Sequence, residues 1–256
     1  MRVDLNADVG EGAAGGALGQ DPALMQSITS ANVACGFHAG DPNTMHRFVM
    51  LAREVGCSIG AHPGFNDLWG FGRRQIKGDS MADIEKMFAY QIGALQGCAA
   101  MAGHRVHHVK AHGAIANMAA VDRELALAMA RAVKAVDRAL IYVALPGTEL
   151  ERTADEVGLT VAREYYADRT YDDTGNLTPR KQQGAVIHDA EEAATRVLRM
   201  VEEGGVRSTS DKLVPVAIDT ICVHGDNPAA VAMARTVRQR LEAAGIAIRP
   251  MAETLA

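Results

Sequence analysis

The 256-residue chain has little of several features that would each have pointed to a class. Only four cysteines occur, Cys35, Cys57, Cys98 and Cys222, and none stand in C-x-x-C spacing. A disulfide framework or thiolate zinc site therefore has little support, and reduced, buried thiols are expected. No apolar run approaches the length of a membrane span, and the opening MRVDLNADVGEG carries charges where a signal peptide would be apolar. The sequence reads as soluble, with a cytoplasmic location expected. A basic excess is missing too: 26 Lys and Arg face 31 Asp and Glu, a net charge of −5. That balance leaves no electrostatic footprint for nucleic acid or an acidic membrane surface, and neither is expected as a partner.

What is present suits one substantial core. Hydrophobic residues make up 48% of the chain, and no composition break, charge block or low-complexity tail divides it, so residues 1 to 256 are expected to form a single domain. Seven segments read as short buried strands: 3 to 7, 31 to 35, 57 to 61, 105 to 110, 139 to 144, 160 to 164 and 220 to 224. Most look like continuous apolar runs, as strands covered on both faces should. Helical patterns separate them, at 43 to 55, after a Ser80/Asp83 capping box, after a cap at Asp122, and at 148 to 157, 189 to 203 and 228 to 244. The last opens with Asn227 and Pro228 and closes at Gly245. Alternating strands and helices imply a parallel sheet, and seven units without a linker close most economically as an α/β barrel. Residues 10 to 19 and 166 to 184 resist the pattern and read as rim loops.

Four strand ends share one signature. NVACGFHAGD (32 to 41), SIGAHPG (58 to 64), VKAHG (109 to 113) and ICVHG (221 to 225) each place a histidine after a small or apolar run, with glycine within two residues. In parallel barrels the active site forms where the C-terminal strand ends converge. The residues gathered there are Asn6 and Asp8, His38 and Asp41, His62, Lys110 and His112, Asp168 and Arg169, and His224 and Asp226. Any single histidine in such a place can be hydrogen-bonded filling; four in matching positions point to a site. For His46, His104, His107, His108 and His188 an exposed or helix-flanking imidazole is the simpler reading.

The charged candidates each have a bland alternative. Asp8 and Asp226 end the first and last strands, which adjoin if the barrel closes, so they could share a site and raise each other's pKa. Asp226 could equally cap the following helix, and Asp41 before Pro42 reads as a cap. Lys110 lies two residues before His112 and points inward with it, either to a carboxylate such as Asp8 in a structural network or to an anionic substrate. Arg73, Arg74, Arg169 and Arg180 could bind carboxylate or phosphate, or serve the surface. Gly10, Gly12 and Gly15 fit G-x-G-x-x-G, but no clear helix follows and no Walker-type lysine accompanies them, so a nucleotide fingerprint fails its context. Cys35 could be offered as a nucleophile; a small core residue is the simpler reading.

The motifs DLNADVGEG, SANVACGFHAGDP, IGAHPGF, GFGRR, VKAHGAIAN, ADRTYDDTGNLTPR and ICVHGDNP together resemble the LamB/YcsF family, in order from Asp4 to Pro228. The resemblance implies a seven-stranded (β/α) barrel of the glycoside hydrolase and deacetylase type. It further implies a part in the ATP-driven opening of the lactam ring of 5-oxo-L-proline to L-glutamate, with other 5-oxoprolinase subunits as partners. The family usually reads VKPHGALYN where this chain has Ala111, Ile115 and Ala116; Asn117 is retained. Losing the tyrosine puts substrate preference in question more than reaction class.

On that reading, ATP would phosphorylate the lactam carbonyl and make it a better electrophile. Lys110, Arg73 and Arg74 could steady the phosphate, His62, His112 and His224 could donate to the oxyanion, and Asp8 or Asp226 could orient water. Asn6, His38, Asn117, Asp168 and Arg169 complete the expected substrate contacts. Two alternatives use the same residues. Asp8, His38, His62 and His224 could hold a divalent metal for deacetylase-like or other amide hydrolysis. A non-catalytic lactam- or sugar-binding protein would bind without turnover.

Overall fold

Alternation along the first strand, VDLNADV, decides which side of the sheet becomes the inside. Val3, Leu5, Ala7 and Val9 are buried against helices, while Asp4, Asn6 and Asp8 face the opposite way. The computed structural model describes residues 1–12, 20–224 and 228–255. In chain order the elements are β1 (Arg2–Val9), α1 (Asp21–Met25), β2 (Ser30–Ala34), α2 (Pro42–Val55), β3 (Ser58–His62), α3 (Met81–Met101), β4 (Val106–Lys110), α4 (Gly113–Ala119), α5 (Arg123–Val136), β5 (Ile141–Ala144) and α6 (Glu149–Val157). They continue through β6 (Val161–Tyr166), α7 (Ala190–Glu203), β7 (Gly205–Arg207), β8 (Leu213–Pro215), β9 (Thr220–Cys222), α8 (Pro228–Ala243), β10 (Ala247–Ile248) and α9 (Met251–Thr254).

Strands β1 to β6 pair in sequence order, all parallel, and β9 pairs with both β6 and β1, closing a seven-stranded barrel. All seven expected strands are present. Helix starts follow the expected caps. The Asp41 carboxylate accepts from the backbone of Asn43 and Thr44 at 2.8 and 3.0 Å, Ser80 accepts from Asp83, and Asp122 accepts from Glu124 and Leu125. Each such cap is worth about 1 kcal/mol. Asn227, the expected cap of α8, lies outside the described residues, as do residues 13–19 of the first glycine-rich stretch. The expected loop from 166 to 184 contains isolated antiparallel bridges, Arg169 to Val186 and Tyr171 to Leu177, and packs with the short β7–β8 hairpin around buried Tyr165 and Tyr171. That hairpin has no counterpart in the sequence reading.

The interior departs from the continuous apolar strands expected. Its lower layer holds Asp4, whose carboxylate accepts from the hydroxyls of Thr29, Ser30 and Thr220. Beside it Ile141, Val143 and Ala162 pack on Met251, and α9 thereby stoppers the N-terminal end. The middle layer holds Asn6, Asn32 and His108. The His108 ring is fully buried and donates from Nε2 to Asn32 Oδ1 at 2.8 Å, so the exposed or helix-flanking reading of this histidine is wrong. Gly60 makes the space: a Cβ there would collide with the ring. The imidazole is kept neutral by burial, which pushes its pKa down to about 3.

Asp4 carries a pH signature. Burial pushes its carboxyl up to about 6, against the hydroxyl donors that favour the anion. A native pKa above the unfolded one means the folded state holds the proton longer. Stability from this group is therefore complete below about pH 4 and lost as pH rises through about 6, by about 3 kcal/mol in all. Urea unfolding from about pH 4 to about pH 7 should show this fall in the natural chain and a flatter profile in Asp4→Asn. Superimposable profiles would remove Asp4 as the source.

Candidate active site

Because every barrel strand runs the same way, one mouth collects the ends of all seven. Lys110, the last residue of β4, sends its ammonium across the barrel to strands that are not its sheet neighbours. It lies 3.0 Å from Asp8 on β1, 2.8 Å from Glu164 on β6, 3.3 Å from Asn6 Oδ1 and 3.4 Å from the Cys222 sulfur on β9. The side chain is 7% exposed. Burial opposes the charge, but Asp8, Cys222 and Glu164 outweigh it and hold the ammonium well above its ordinary pKa. The expected inward lysine is therefore found, committed to carboxylates.

Asp8 lies between that ammonium and His62, whose Nε2 is 3.4 Å from Asp8 Oδ2. Burial would raise the carboxyl, yet His62 and Lys110 hold it well below the usual range. The Lys110 ammonium and the His62 ring thus pull the carboxyl the opposite way from the upward shift expected through a second aspartate; Asp226 itself lies outside the described residues. Asn32 donates to Asp8 Oδ1 and to Asn6 Oδ1, both at 2.8 Å, so the His108–Asn32 pair supports the site from beneath.

Three of the four expected histidines meet around a residue not singled out in the sequence, Glu11. Its Oε1 lies 3.1 Å from His38 Nε2, 3.6 Å from His62 Nε2 and 3.0 Å from His112 Nδ1. The His38 and His112 rings stack with centroids 3.7 Å apart, and His62 meets both edge-on. Burial pushes His38 down to about 4, while contacts with His112 and His38 overcome burial and bring Glu11 to about 2. Donor atoms of Glu11, His38, His62 and His112 all lie within 4.8 Å of one another, a set that could hold a metal ion. The expected ligand set containing Asp8 and His224 does not gather this way.

His224 follows β9 on the other side of Lys110. Its Nδ1 lies 2.8 Å from Asp168, and its ring is roughly parallel to Tyr166. Burial opposes protonation, but Cys222 and Asp168 raise His224 well above the ordinary histidine range. Glu164, like Glu11, carries no mark in the sequence that separates it from other strand residues.

The arginines sort differently from one another. Arg74 is ion-paired to buried Asp67 and fastens the loop through 67–74. Arg169 is buried and donates to the carbonyls of Ala185 and Thr178, tying down the 166–187 segment. Neither is brought to the cluster. Arg73 is exposed at the rim, its guanidinium 5.0 Å over the Phe71 ring. Asn117 is exposed on α4 and is not part of the buried group. Cys35 is buried, with its thiol pushed up to about 12 by burial, which fits a core residue and not a nucleophile.

A LamB/YcsF family profile matches residues 3–256. The chain belongs to the LamB/YcsF family. Among the family's relatives, the A-type subunit of 5-oxoprolinase from Rhodopseudomonas palustris is 53% identical over 254 residues, 99% of this chain and 100% of the relative. The crystal structure of a lactam utilization protein from Thermus thermophilus superposes with a TM-score of 0.92 at 47% identity, covering 97% of this chain and 99% of that one. A deacetylase, T48, shares the fold with a TM-score of 0.50 at 16% identity, over 99% of this chain and 89% of that one.

Removing the central cation should show how far the interior depends on it. Lys110→Met leaves buried Glu164 without its cation and half-buried Asp8 with only His62 and Asn32, a change that costs about 3–5 kcal/mol. Thermal unfolding should fall by on the order of 10 °C. Asp8→Asn, which leaves Lys110 paired with Glu164, should lose distinctly less. Equal melting of Lys110→Met and the natural chain would refute the buried-network account.

Proposed function

We propose that this chain acts as the A-type subunit of a 5-oxoprolinase, opening the lactam ring of 5-oxo-L-proline to L-glutamate in a reaction driven by ATP hydrolysis. The observation that carries the proposal is the near-half to half-identical match, over almost the whole chain, to proteins with this name or a lactam-utilization name. The mouth's chemistry supports it. An amide in a five-membered ring resists water because of its resonance; phosphorylation of its oxygen by ATP would make the ring carbon a better electrophile, so that water adds, the ring nitrogen leaves with a proton, and a second water hydrolyses the resulting acyl phosphate to glutamate and phosphate.

The residues divide the work by their charge states. Asp8, held ionised by Lys110 and His62, orients an attacking water by accepting a hydrogen bond from it. Lys110 is a positioning residue on this account, because its charge is already matched by Asp8 and Glu164 and is not free to clamp a phosphate. His224, protonated beside Asp168, can deliver a proton to the ring nitrogen as the C–N bond breaks. Arg73, exposed at the rim over Phe71, would meet a substrate carboxylate or phosphate on this reading. Partner subunits supply the ATP-using step, consistent with the absence from this sequence of a nucleotide fingerprint in its proper context.

A second reading, ATP-independent metal-dependent hydrolysis of an amide, is favoured by the Glu11 and histidine cluster. Glutamate and ADP should be measured for the purified chain, for its cognate partner subunits and for the mixture. Only the mixture should form glutamate coupled to ADP, and Asp8→Asn or His112→Ala should abolish most of it. ATP-independent amide hydrolysis by the isolated chain would favour the second reading. A mixture indifferent to both substitutions would reduce this chain to a lactam- or sugar-binding role.

A further inference from the structure

We propose that Glu11, His38, His62 and His112 form the binding site of a single divalent transition-metal ion of the zinc class. Two backbone carbonyls dictate where the ring hydrogens must be. His62 Nδ1 lies 2.7 Å from the backbone oxygen of Lys110, and His112 Nε2 lies 2.8 Å from the backbone oxygen of Phe71. A carbonyl oxygen only accepts, so each of these nitrogens carries the hydrogen. With both rings neutral, the other two nitrogens, His62 Nε2 and His112 Nδ1, face each other 3.1 Å apart with lone pairs and no hydrogen between them. Glu11 Oε1, a third acceptor, sits 3.0 Å from one and 3.6 Å from the other. Three lone-pair donors aimed at one point repel unless a proton or a metal ion lies among them.

The spacing suits a metal ion. Zinc–nitrogen and zinc–oxygen bonds of about 2.0–2.2 Å place the corners of a tetrahedron about 3.3–3.6 Å apart. The separations around Glu11, 3.0, 3.1 and 3.6 Å, and the 3.1 Å between His62 and His112 bracket the lower end of that range. Three imidazoles and one carboxylate select zinc, cobalt, nickel or iron over magnesium and calcium, which prefer oxygen donors.

The surroundings hold the rings in this orientation. Metal-ligating histidines commonly donate their second N–H to a carbonyl, as His62 and His112 do here. The Phe71 carbonyl reaches His112 from a residue in the left-handed region, φ 54°, a costly conformation for a non-glycine side chain. Gly72 and Gly64 complete the enclosure. A Cβ on Gly72 would come within 2.8 Å of both His112 Cδ2 and His38 Cβ, and one on Gly64 within 2.9 Å of His38 Nδ1. Asp8 stands just outside, drawn away by Lys110, and His224 is engaged with Asp168. These contacts explain why the expected set of Asp8, His38, His62 and His224 is replaced by Glu11, His38, His62 and His112.

The site rests on this geometry and not on the 5-oxoprolinase reading, so its test does not use activity. The untagged full chain is stripped with a chelator and titrated with Co²⁺, and zinc uptake is measured in parallel by elemental analysis after gel filtration. The expected result is about one ion per chain and visible cobalt absorption of a low-coordinate, nitrogen-rich site. His62→Ala and His112→Ala, checked for folding by circular dichroism, should lose both signals, while a His104→Ala/His107→Ala chain keeps them. Anomalous scattering at the zinc edge from crystals of the natural chain should place the ion among the four side chains, a readout that needs no variant to fold. Absence of stoichiometric uptake would mean that a proton, not a metal, relieves the facing nitrogens, and would overturn the proposal. So would an ion located elsewhere, or full uptake by folded His62→Ala and His112→Ala chains.

Discussion

The ammonium of Lys110 is the constraint on which the barrel interior depends. A cation inside a closed barrel has no water shell to speak of, so carboxylates must come to it. They come from β1 and β6, with Asn6 and the Cys222 sulfur adding contacts from β1 and β9. Four strands, three of them unable to touch β4 through the sheet, are thereby placed relative to one another by a single charge. Polar layers below it follow the same logic: each inward group of Asp4, Asn6, Asn32 and His108 is matched by another side chain on a different strand. Outward residues of the same strands supply the apolar burial that holds the helices on.

This arrangement divides the mouth electrically. On one side, Glu11 and three histidines crowd beneath the loop fastened by Asp67 and Arg74. On the other, His224 and Asp168 form a separate acid-base pair beside Tyr166. Lys110 and Asp8 lie between the two groups. A ligand entering the mouth therefore meets two histidine environments that differ in protonation, His38 pushed down to about 4 and His224 well above its ordinary value. One supplies lone pairs and the other a proton. Chemistry that needs both at one substrate can be run without moving the backbone.

Much of the fold was legible because the outward faces of the strands and the helix caps are local signals. Val3, Leu5, Ala7 and Val9 mark a strand by themselves, and Asp41, Ser80 and Asp122 mark helix starts within three residues. The candidate site was legible as far as it follows one rule, polar residues at strand ends, which singles out Asp8, His38, His62, Lys110, His112 and His224. Glu11 escaped because it sits past the strand in a glycine-rich stretch, although its place three residues beyond Asp8 was the available clue. Glu164 escaped because it lies inside a strand, where a charge is explained only by a partner on the far side of the barrel. His108 was misjudged for a related reason: the space that accepts it is the missing side chain of Gly60, 48 positions earlier. Arg74 and Arg169 looked like anion contacts because nothing local reveals that Asp67 and two carbonyls already hold them.

The closing strand has a consequence for biosynthesis. Strand β9 is three residues long, Thr220–Cys222, yet it joins both β6 and β1 and completes the cylinder. Its partner β1 leaves the ribosome more than two hundred residues earlier. For most of translation β1 can therefore pair only with β2, and its other edge stays open to any passing strand. Asp4, Asn6 and Asp8 make that waiting edge a poor adhesive: a foreign strand laid against it would have to bury their polar groups without Thr220 and Lys110 to receive them. The residues that later define the barrel's inside thus also protect its unfinished seam in the nascent chain.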